Sequence, residues 1–451
     1  MFKTIKLMPH QEKELSFCLT NRKSLNFSEP STGKTVQAAL FAYYLSRFEN
    51  AKTLLINGSK SIMIKNRDEI LKFSEFKPEE VVVVDTTPER RLGLFSNPNT
   101  KVFLMTAECL SNNLKEISKI EGIDSIIVDE SHKVYGSVEA KRTLNLLKCK
   151  PKNFLALTGS PIVGGRLDSV YPLVKICRPL AYSSIEHFHF IHKDLDPFTG
   201  KVTWKNHQLL IDILKPISIR HTVAEVYPNA SGTIIQKHKV EMGKDMKEAY
   251  KEWAEKAVLE LEDMFLRAAN EGIALLRARQ ILGCPEVFDL NFEKTKDEAL
   301  IDYLEEEGQR IVFASYIPEQ ERIVKLAKEL GLRVALINSS VSGDKRGQID
   351  KDFREGTIDV IVASPQAAEV GFNWQNTKNI IFYSLPYNDD SFLQAIKRGN
   401  RGSRKEPLIV KVLEYKDSVE SKVWEILKRK SKENNKIMKD SPLIKEGELG
   451  C

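Results

Sequence analysis

Two groups of short apolar runs, each run followed by a helical pattern, decide what this chain can fold into. The first group is TLLIN (53–57), EVVVVD (80–85), KVFLMT (101–106), SIIVDE (125–130) and FLALTG (154–159). The second is RIVFAS (310–315), RVALIN (333–338), DVIVAS (359–364), NIIFYS (379–384) and LIVKVLEY (408–415). Runs of this kind, bounded by polar residues and alternating with amphipathic segments, predict buried parallel strands in α/β units. Two such groups predict two α/β domains in tandem, each built on a parallel sheet. A length of 451 residues agrees, being too great for one ordinary core.

The predicted first domain spans residues 1–218 and the second 219–430, with a polar, weakly patterned tail at 431–451. Residues 183–210 depart from the α/β pattern. Asp196-Pro197 and Thr199-Gly200 there predict a turn between strands, in a small insertion of the first domain. Residues 243–283 have helical spacing and strong helix formers, and predict a helical hairpin projecting from the second domain.

Composition narrows the function classes. A hydrophobic content of 42% and a charged content of 29% are those of a soluble globular protein. No apolar run approaches the ~18 residues of a membrane span, and MFKTIKLMPHQ has no leader-like apolar core, so a cytoplasmic protein is expected (host cytoplasm if phage-encoded). Cys18, Cys109, Cys149, Cys177, Cys284 and Cys451 never form C-x-x-C, which argues against structural zinc and a disulfide framework. His187, His189 and His192 lie near Asp194 and Asp196 without a metal-ligand spacing. The net charge of +6 is compatible with a polyanion partner but does not require one.

The stretch NFSEPSTGKTVQAAL (26–40) resembles a phosphate cradle short of glycines. A P-loop is G-x-x-x-x-G-K-S/T; here Gly33, Lys34 and Thr35 are in place, but Ser28 holds the first glycine position. A phosphate site needs backbone N–H groups converging at a helix N-terminus, a lysine for the β/γ-phosphates and a hydroxyl for Mg²⁺. Lys34 and Thr35 supply the last two, and Ser31 and Thr32 can add hydroxyl donors. On this stretch alone, a Gly-Lys-Thr tripeptide opening an ordinary helix stands level with that reading. SIIVDESH breaks the tie. It puts Asp129-Glu130 at the end of a buried strand, where one carboxylate can hold Mg²⁺ and the next can orient the attacking water.

Together these motifs resemble, in order, those of superfamily-two helicases and translocases. Leu7-Met8-Pro9-His10-Gln11 is similar to the family's L-x-P-x-Q segment, which gives Gln11 an adenine contact. Residues 28–35 resemble motif I, with Ser31 where glycine is usual, and Asp129-Glu130-Ser131-His132 the DE-x-H box. LLINGSKSIMIKNRDEI (54–70) and KVFLMTAECLSNN (101–113) resemble elements that face nucleic acid, and LALTGSPI (155–162) the motif in which Thr158 and Ser160 couple the two sites. In the second half, 311–320 resembles motif IV, 337–356 and 362–388 the motifs that follow, and QAIKRGNR (394–401) motif VI. There Asn338 and Ser339 replace an acid and a glycine, and Ala368-Glu369 a glycine pair. IRHTVAEVYP (219–228) and LRARQILGCPEV (276–287) are similar to segments of the Swi/Snf-like subgroup.

The resemblance implies two tandem RecA-like domains and an ATP-dependent motor using ATP and Mg²⁺. It implies Lys34, Asp129, Glu130, Arg398 and Arg401 as catalytic residues, with Thr35 and Asp129 on the metal. Gln11, Ser31, Thr32, Gly33, Gln394 and Gly371 would complete the nucleotide site, lying between the two domains. Ser59, Lys60, Thr106, Ser315, Tyr316, Arg346 and Ser364 would hold the nucleic-acid backbone, with little sequence preference. The expected enzyme is a monomeric DNA helicase or translocase acting on duplex, forked or junction DNA in replication, recombination or repair. An RNA helicase or RNA-dependent ATPase, and a scaffold with a dead ATPase, stand as alternatives. Trp374 and the trio Tyr250, Trp253 and Phe265 are expected to pack rather than to touch nucleic acid.

Overall fold

The computed structural model describes residues 6–57, 60–135, 137–198, 202–229, 231–267, 272–367, 372–387, 389–400, 404–438 and 445–446. The chain divides into two compact units: residues 1–194 with 204–228, and residues 229–451 with 195–203.

The first unit is built on a seven-stranded sheet. Its strands are β1 (Lys23–Asn26), β2 (Lys52–Asn57), β3 (Val81–Val83), β4 (Val102–Thr106), β5 (Ile123–Val128) and β6 (Asn153–Leu157). After the two-stranded sheet of β7 (Lys193–Leu195) and β8 (Val202–Trp204), β9 (Ser218–Ile219) completes it. The order is β3-β4-β2-β5-β6-β1-β9, and every pairing is parallel. Phe154, Leu155, Ala156 and Leu157 are all fully buried, as a strand covered on both faces requires. The helices α1 (Pro9–Asn21) and α2 (Lys34–Glu49) flank β1, and α2 contributes Ala38, Ala39, Phe41, Ala42 and Leu45 to the core.

The second unit repeats the plan. Strands β10 (Thr233–Val240), β11 (Arg310–Phe313), β12 (Val334–Ile337), β13 (Val360–Ala363), β14 (Asn379–Phe382), β15 (Leu408–Tyr415) and β16 (Lys445–Glu446) run in the order β12-β13-β11-β14-β15-β10-β16, again all parallel. Trp374 is fully buried and stacks on Phe372 with ring centroids 4.8 Å apart, so it packs as expected.

Three features differ from the sequence-based outline. The first unit runs to Pro228, past the expected boundary at 218, because β9 adds to β1 and residues 219–223 bond the loop after β1. The helical hairpin, Lys244–Arg267 and Ile273–Gly283, does not simply project. Met246, Tyr250 and Ala257 on one arm and Leu275, Ala278 and Leu282 on the other are buried in the core, and the Tyr250 hydroxyl accepts from Val419 N–H at 2.7 Å. Trp253 packs against the same cluster, while the side chain of Phe265 lies outside the described residues. The tail begins as helix, Val419–Met438 running well past residue 430.

Candidate nucleotide site

The loop between β1 and α2 is shaped by two left-handed residues. Ser31 has φ of 73° and Gly33 φ of 88°. Left-handed backbone costs little for glycine and more for any residue with a Cβ, so Ser31 adopts, under strain, the conformation a glycine would take freely. At Gly33 a Cβ would also run into the side-chain amide of Gln11, which places Gln11 directly over the start of α2. Gln11 is itself held by accepting from Met8 N–H at 3.0 Å. Thr32 donates to the carbonyl of Glu29 at 2.8 Å. Lys34 curls back over the loop, its Nζ donating to the carbonyls of Ser28 at 2.6 Å and Glu29 at 3.0 Å. Thr35 follows in the first turn of α2, half-buried.

The acidic pair sits at the carboxyl end of β5, where ligands of open parallel sheets bind. Asp129 N–H continues the strand by donating to Ile56 O at 2.9 Å. Asp129 Oδ2 accepts from Asn66 Nδ2 at 2.7 Å, and its Oδ1 accepts from Glu130 N–H at 3.0 Å. Burial and then the neighbouring Glu130 charge push the Asp129 carboxyl up to about 6, with Asn66 and the Lys34 ammonium pulling the other way. Glu130 has φ of 46°, a strained left-handed turn directly after Asp129. His132 Nδ1 lies 3.4 Å from Glu130 Oε2 and 2.9 Å from Thr158 Oγ1. Thr158 Oγ1 also accepts from Ser160 N–H at 3.0 Å. Between them, Gly159 faces the loop so closely that a Cβ would lie 2.5 Å from Pro30 Cδ. The fold therefore gathers Gln11, residues 28–35, Asp129, Glu130, Thr158 and Ser160 in the first unit.

In the second unit, Gln394 and Arg398 share one face of the helix Asp389–Gly399, with Arg398 Nη2 3.3 Å from Gln394 Oε1 and both buried. Arg401 and Gly371 lie outside the described residues, as does Ser59, and the Lys60 side chain is not described. Thr106 ends β4 and caps the helix Ala107–Asn112 by accepting from Cys109 N–H at 3.1 Å. Ser315 and Ser364 follow β11 and β13, again at carboxyl ends of parallel strands. Ser315 N–H donates to Glu319 at 3.0 Å and its hydroxyl accepts from Arg279 at 3.4 Å. Tyr316 caps the next helix, its ring 5.3 Å from the Arg279 guanidinium. Arg346 donates to the carbonyl of Asn338 at 2.6 Å, and Ser364 Oγ accepts from Ala367 N–H at 3.2 Å.

The histidines of the insertion are engaged separately. His192 meets Tyr182 at 2.6 Å, His189 meets Asp168 at 3.1 Å and His187 meets Ser183 at 3.1 Å. Among the described residues no three His, Cys, Asp or Glu converge as a metal site. Nor is any described helix long and apolar enough to cross a membrane. Sequence reasoning missed Asn66, Glu14, His221, Arg279 and Glu319. Asn66, His221, Arg279 and Glu319 lie inside the quoted motif segments but at positions given no role there; Glu14 lies outside them, its one signal being an acid among the otherwise inward residues His10, Leu15 and Cys18 of α1.

The SNF2-related domain family matches residues 10–286, and the helicase conserved C-terminal domain matches residues 295–403. The chain belongs to the SNF2-related family. This SNF2-related chain is 24% identical over 408 residues to an uncharacterized ATP-dependent helicase of Mycoplasma pneumoniae, covering 88% of this chain and 38% of that protein. It is 23% identical over 430 residues to "Probable ATP-dependent DNA helicase CHR23" of Arabidopsis thaliana, covering 89% of this chain and 40% of that protein. The SNF2-related chain thus spans well under half the length of these curated relatives. The Hef helicase domain of Pyrococcus furiosus shares the fold, with a TM-score of 0.53 at 16% identity, covering 92% of this chain and 97% of that one.

Proposed function

We propose that this chain is a nucleic-acid-stimulated ATPase that moves along DNA as a helicase or translocase. The observation that carries the reading is the convergence of the Lys34 loop with Asp129 and Glu130 at the carboxyl end of one parallel sheet. Lys34 is the phosphate ligand, exchanging the carbonyls of Ser28 and Glu29 for phosphoryl oxygens. Gln11, poised over Gly33, contacts the base, and Ser31, Thr32 and Gly33 line the phosphates.

The residues fit Mg²⁺. Asp129 is a carboxyl held up by burial beside a second acid, a pair short of positive charge, and Thr35 offers a hydroxyl at the start of α2. Bound there, the ion would neutralise charge on the phosphates. Glu130, on its left-handed backbone, orients and deprotonates the attacking water. Arg398, with Gln394 beside it, and Arg401 supply positive charge to the transferring phosphoryl group. Thr158 and Ser160 couple the acidic pair to the DNA track.

Ser59, Lys60, Thr106, Ser315, Tyr316, Arg346 and Ser364 are assigned to the DNA backbone, so binding is largely independent of sequence. DNA is favoured over RNA by family membership and by relatives whose names describe DNA helicases. Ser28 and Ser31 speak against a dead site, since Ser28 is hydrogen-bonded and Ser31 adopts the left-handed conformation. Monomeric action on forked or branched intermediates of replication, recombination or repair completes the proposal. The test is ATPase stimulation and strand displacement with linear duplex, forked and four-way-junction DNA, single-stranded DNA and RNA. Stimulation by duplex or branched DNA supports the reading, and stimulation by RNA alone overturns it.

A further inference from the structure

Behind the phosphate loop lies a carboxylate that the chemistry above does not use. Glu14, on α1, is completely buried. Its Oε1 accepts from the Ser28 hydroxyl at 2.5 Å and meets His221 Nδ1 at 3.0 Å. The Ser28 hydroxyl accepts in turn from His221 N–H at 2.9 Å. With Oε1 as acceptor, His221 carries its proton on Nδ1, and the three groups form a closed ring of donors and acceptors. Glu14 Oε2 receives no hydrogen bond from the described residues, so the side chain is committed to this ring through one oxygen.

The next residues extend the grip. Glu29 N–H donates to His221 O at 3.0 Å, and the Glu29 carboxylate accepts from Val223 N–H at 2.6 Å. Arg220 donates to Phe27 O at 2.5 Å and lies 3.7 Å from Glu29. Residues 27–29, the entry to the loop, are thus tied to 219–223, five residues before the first unit ends at Pro228. Lys34 donates to the carbonyls of the same Ser28 and Glu29.

We propose that Glu14 is a positioning residue of the phosphate loop: it clamps Ser28 to His221, holding the loop in its binding shape and passing the loop's state to segment 219–223. The proposal rests on the nucleotide reading above. When Lys34 leaves the two carbonyls for a phosphoryl group, the clamp keeps the loop entry in place. Loss of the clamp leaves the buried Ser28 hydroxyl and the half-buried His221 ring N–H short of partners, so the loop opens and the ATP-bound form weakens. The chemical step is left alone, because Glu14 contacts no reacting atom.

The experiment measures ATP KM, kcat and melting temperature on the full chain with saturating duplex DNA, and amide exchange over residues 217–226 with and without ATP. Glu14→Ala should raise KM about tenfold or more while kcat stays within about twofold. Glu14→Gln, whose amide oxygen can accept both bonds, should return KM to within about threefold of the parent. ATP should slow exchange over 217–226 in the parent and in Glu14→Gln but not in Glu14→Ala. An unchanged KM in a folded Glu14→Ala protein overturns the proposal, as does a Glu14→Gln protein as impaired as Glu14→Ala. If Glu14→Ala does not fold, Ser28→Ala decides, with a raised KM in support and a normal KM against. Lys34→Ala run alongside separates the two readings. If it loses turnover while the clamp variants are normal, only this inference falls; if it retains turnover, the nucleotide reading itself falls.

Discussion

His132 Nδ1 and Thr158 Oγ1 lie 2.9 Å apart, joining the turn after β5 to the turn after β6. Thr158 is fully buried and also accepts from Ser160 N–H, so one hydroxyl ties the acidic pair's neighbour to the segment assigned to coupling. Thr158→Val keeps the shape and removes the hydroxyl. It should cost about 1–3 kcal/mol of first-unit stability, because Ser160 N–H and the His132 ring both lose a partner. It should also lower the ratio of DNA-stimulated to basal ATPase rate several-fold. Parallel titrations of both rates with duplex DNA check this.

Asp129 carries a signature in pH. Its folded carboxyl is raised from 3.8 to about 6, so between those values the folded chain holds a proton that the unfolded chain has lost. Stability from this group is therefore greatest at low pH, falls as pH rises through that window, and stays low above it. Asp129→Asn carries no such penalty. In metal-free buffer the variant should be more stable than the parent at pH 7.5, by about 1–3 kcal/mol, and the difference should vanish near pH 4. Denaturant melts at the two pH values measure it.

Lys296 is completely buried in the second unit, paired with Glu420 at 2.5 Å and bonded to Tyr383 O at 3.1 Å. Glu420 also accepts from Tyr415 N–H at 2.8 Å. Glu420→Ala strands the ammonium and should cost about 3–5 kcal/mol, whereas the double variant Lys296→Met/Glu420→Leu should cost much less. Buried Trp424 reports unfolding of this unit by fluorescence.

Arg346 tests the backbone-contact assignment. It donates to Asn338 O near the carboxyl end of β12 and keeps part of its side chain in solvent. Arg346→Ala should weaken duplex binding equally across sequences and reduce the slope of log affinity against log salt by about one. A loss confined to one sequence would argue against a phosphate contact.

The central strands such as β6, β11, β13 and β14 were plain from the residues because each is covered on both faces and so reads as a largely apolar run. β1 escaped notice: Lys23, Ser24 and Asn26 break its run, and buried Asn26 is acceptable only because it bonds Gln37 and Ser28 N–H. β9 has two residues and gains its meaning only from pairing with β1. β10 escaped for a third reason, since Gln236, Lys237, His238 and Lys239 interrupt it where the strand is only partly covered. Lys34, Asp129 and Glu130 were legible because the proposed phosphate and metal chemistry calls for those residue types at a helix start and a strand end. Glu14 and His221 were not, because a buried acid on a helix looks like a surface acid until its partner, 207 residues away, is seen. Ser31 looked like a defect, and only its left-handed backbone explains how the loop accommodates it.

The central proposal is that hydrolysis needs both Lys34 and the positive charge of Arg398 and Arg401. Single-turnover hydrolysis of ATP with saturating duplex DNA, alongside equilibrium ATP binding, tests it most directly. Arg398→Ala and Arg401→Ala should bind ATP within a few-fold of the parent yet hydrolyse it about 10³-fold more slowly, and Lys34→Ala should lose hydrolysis by about 10²-fold or more while keeping most of its DNA binding. Parent-like hydrolysis in Lys34→Ala, or an arginine variant that loses ATP affinity with no defect in rate, would contradict the account.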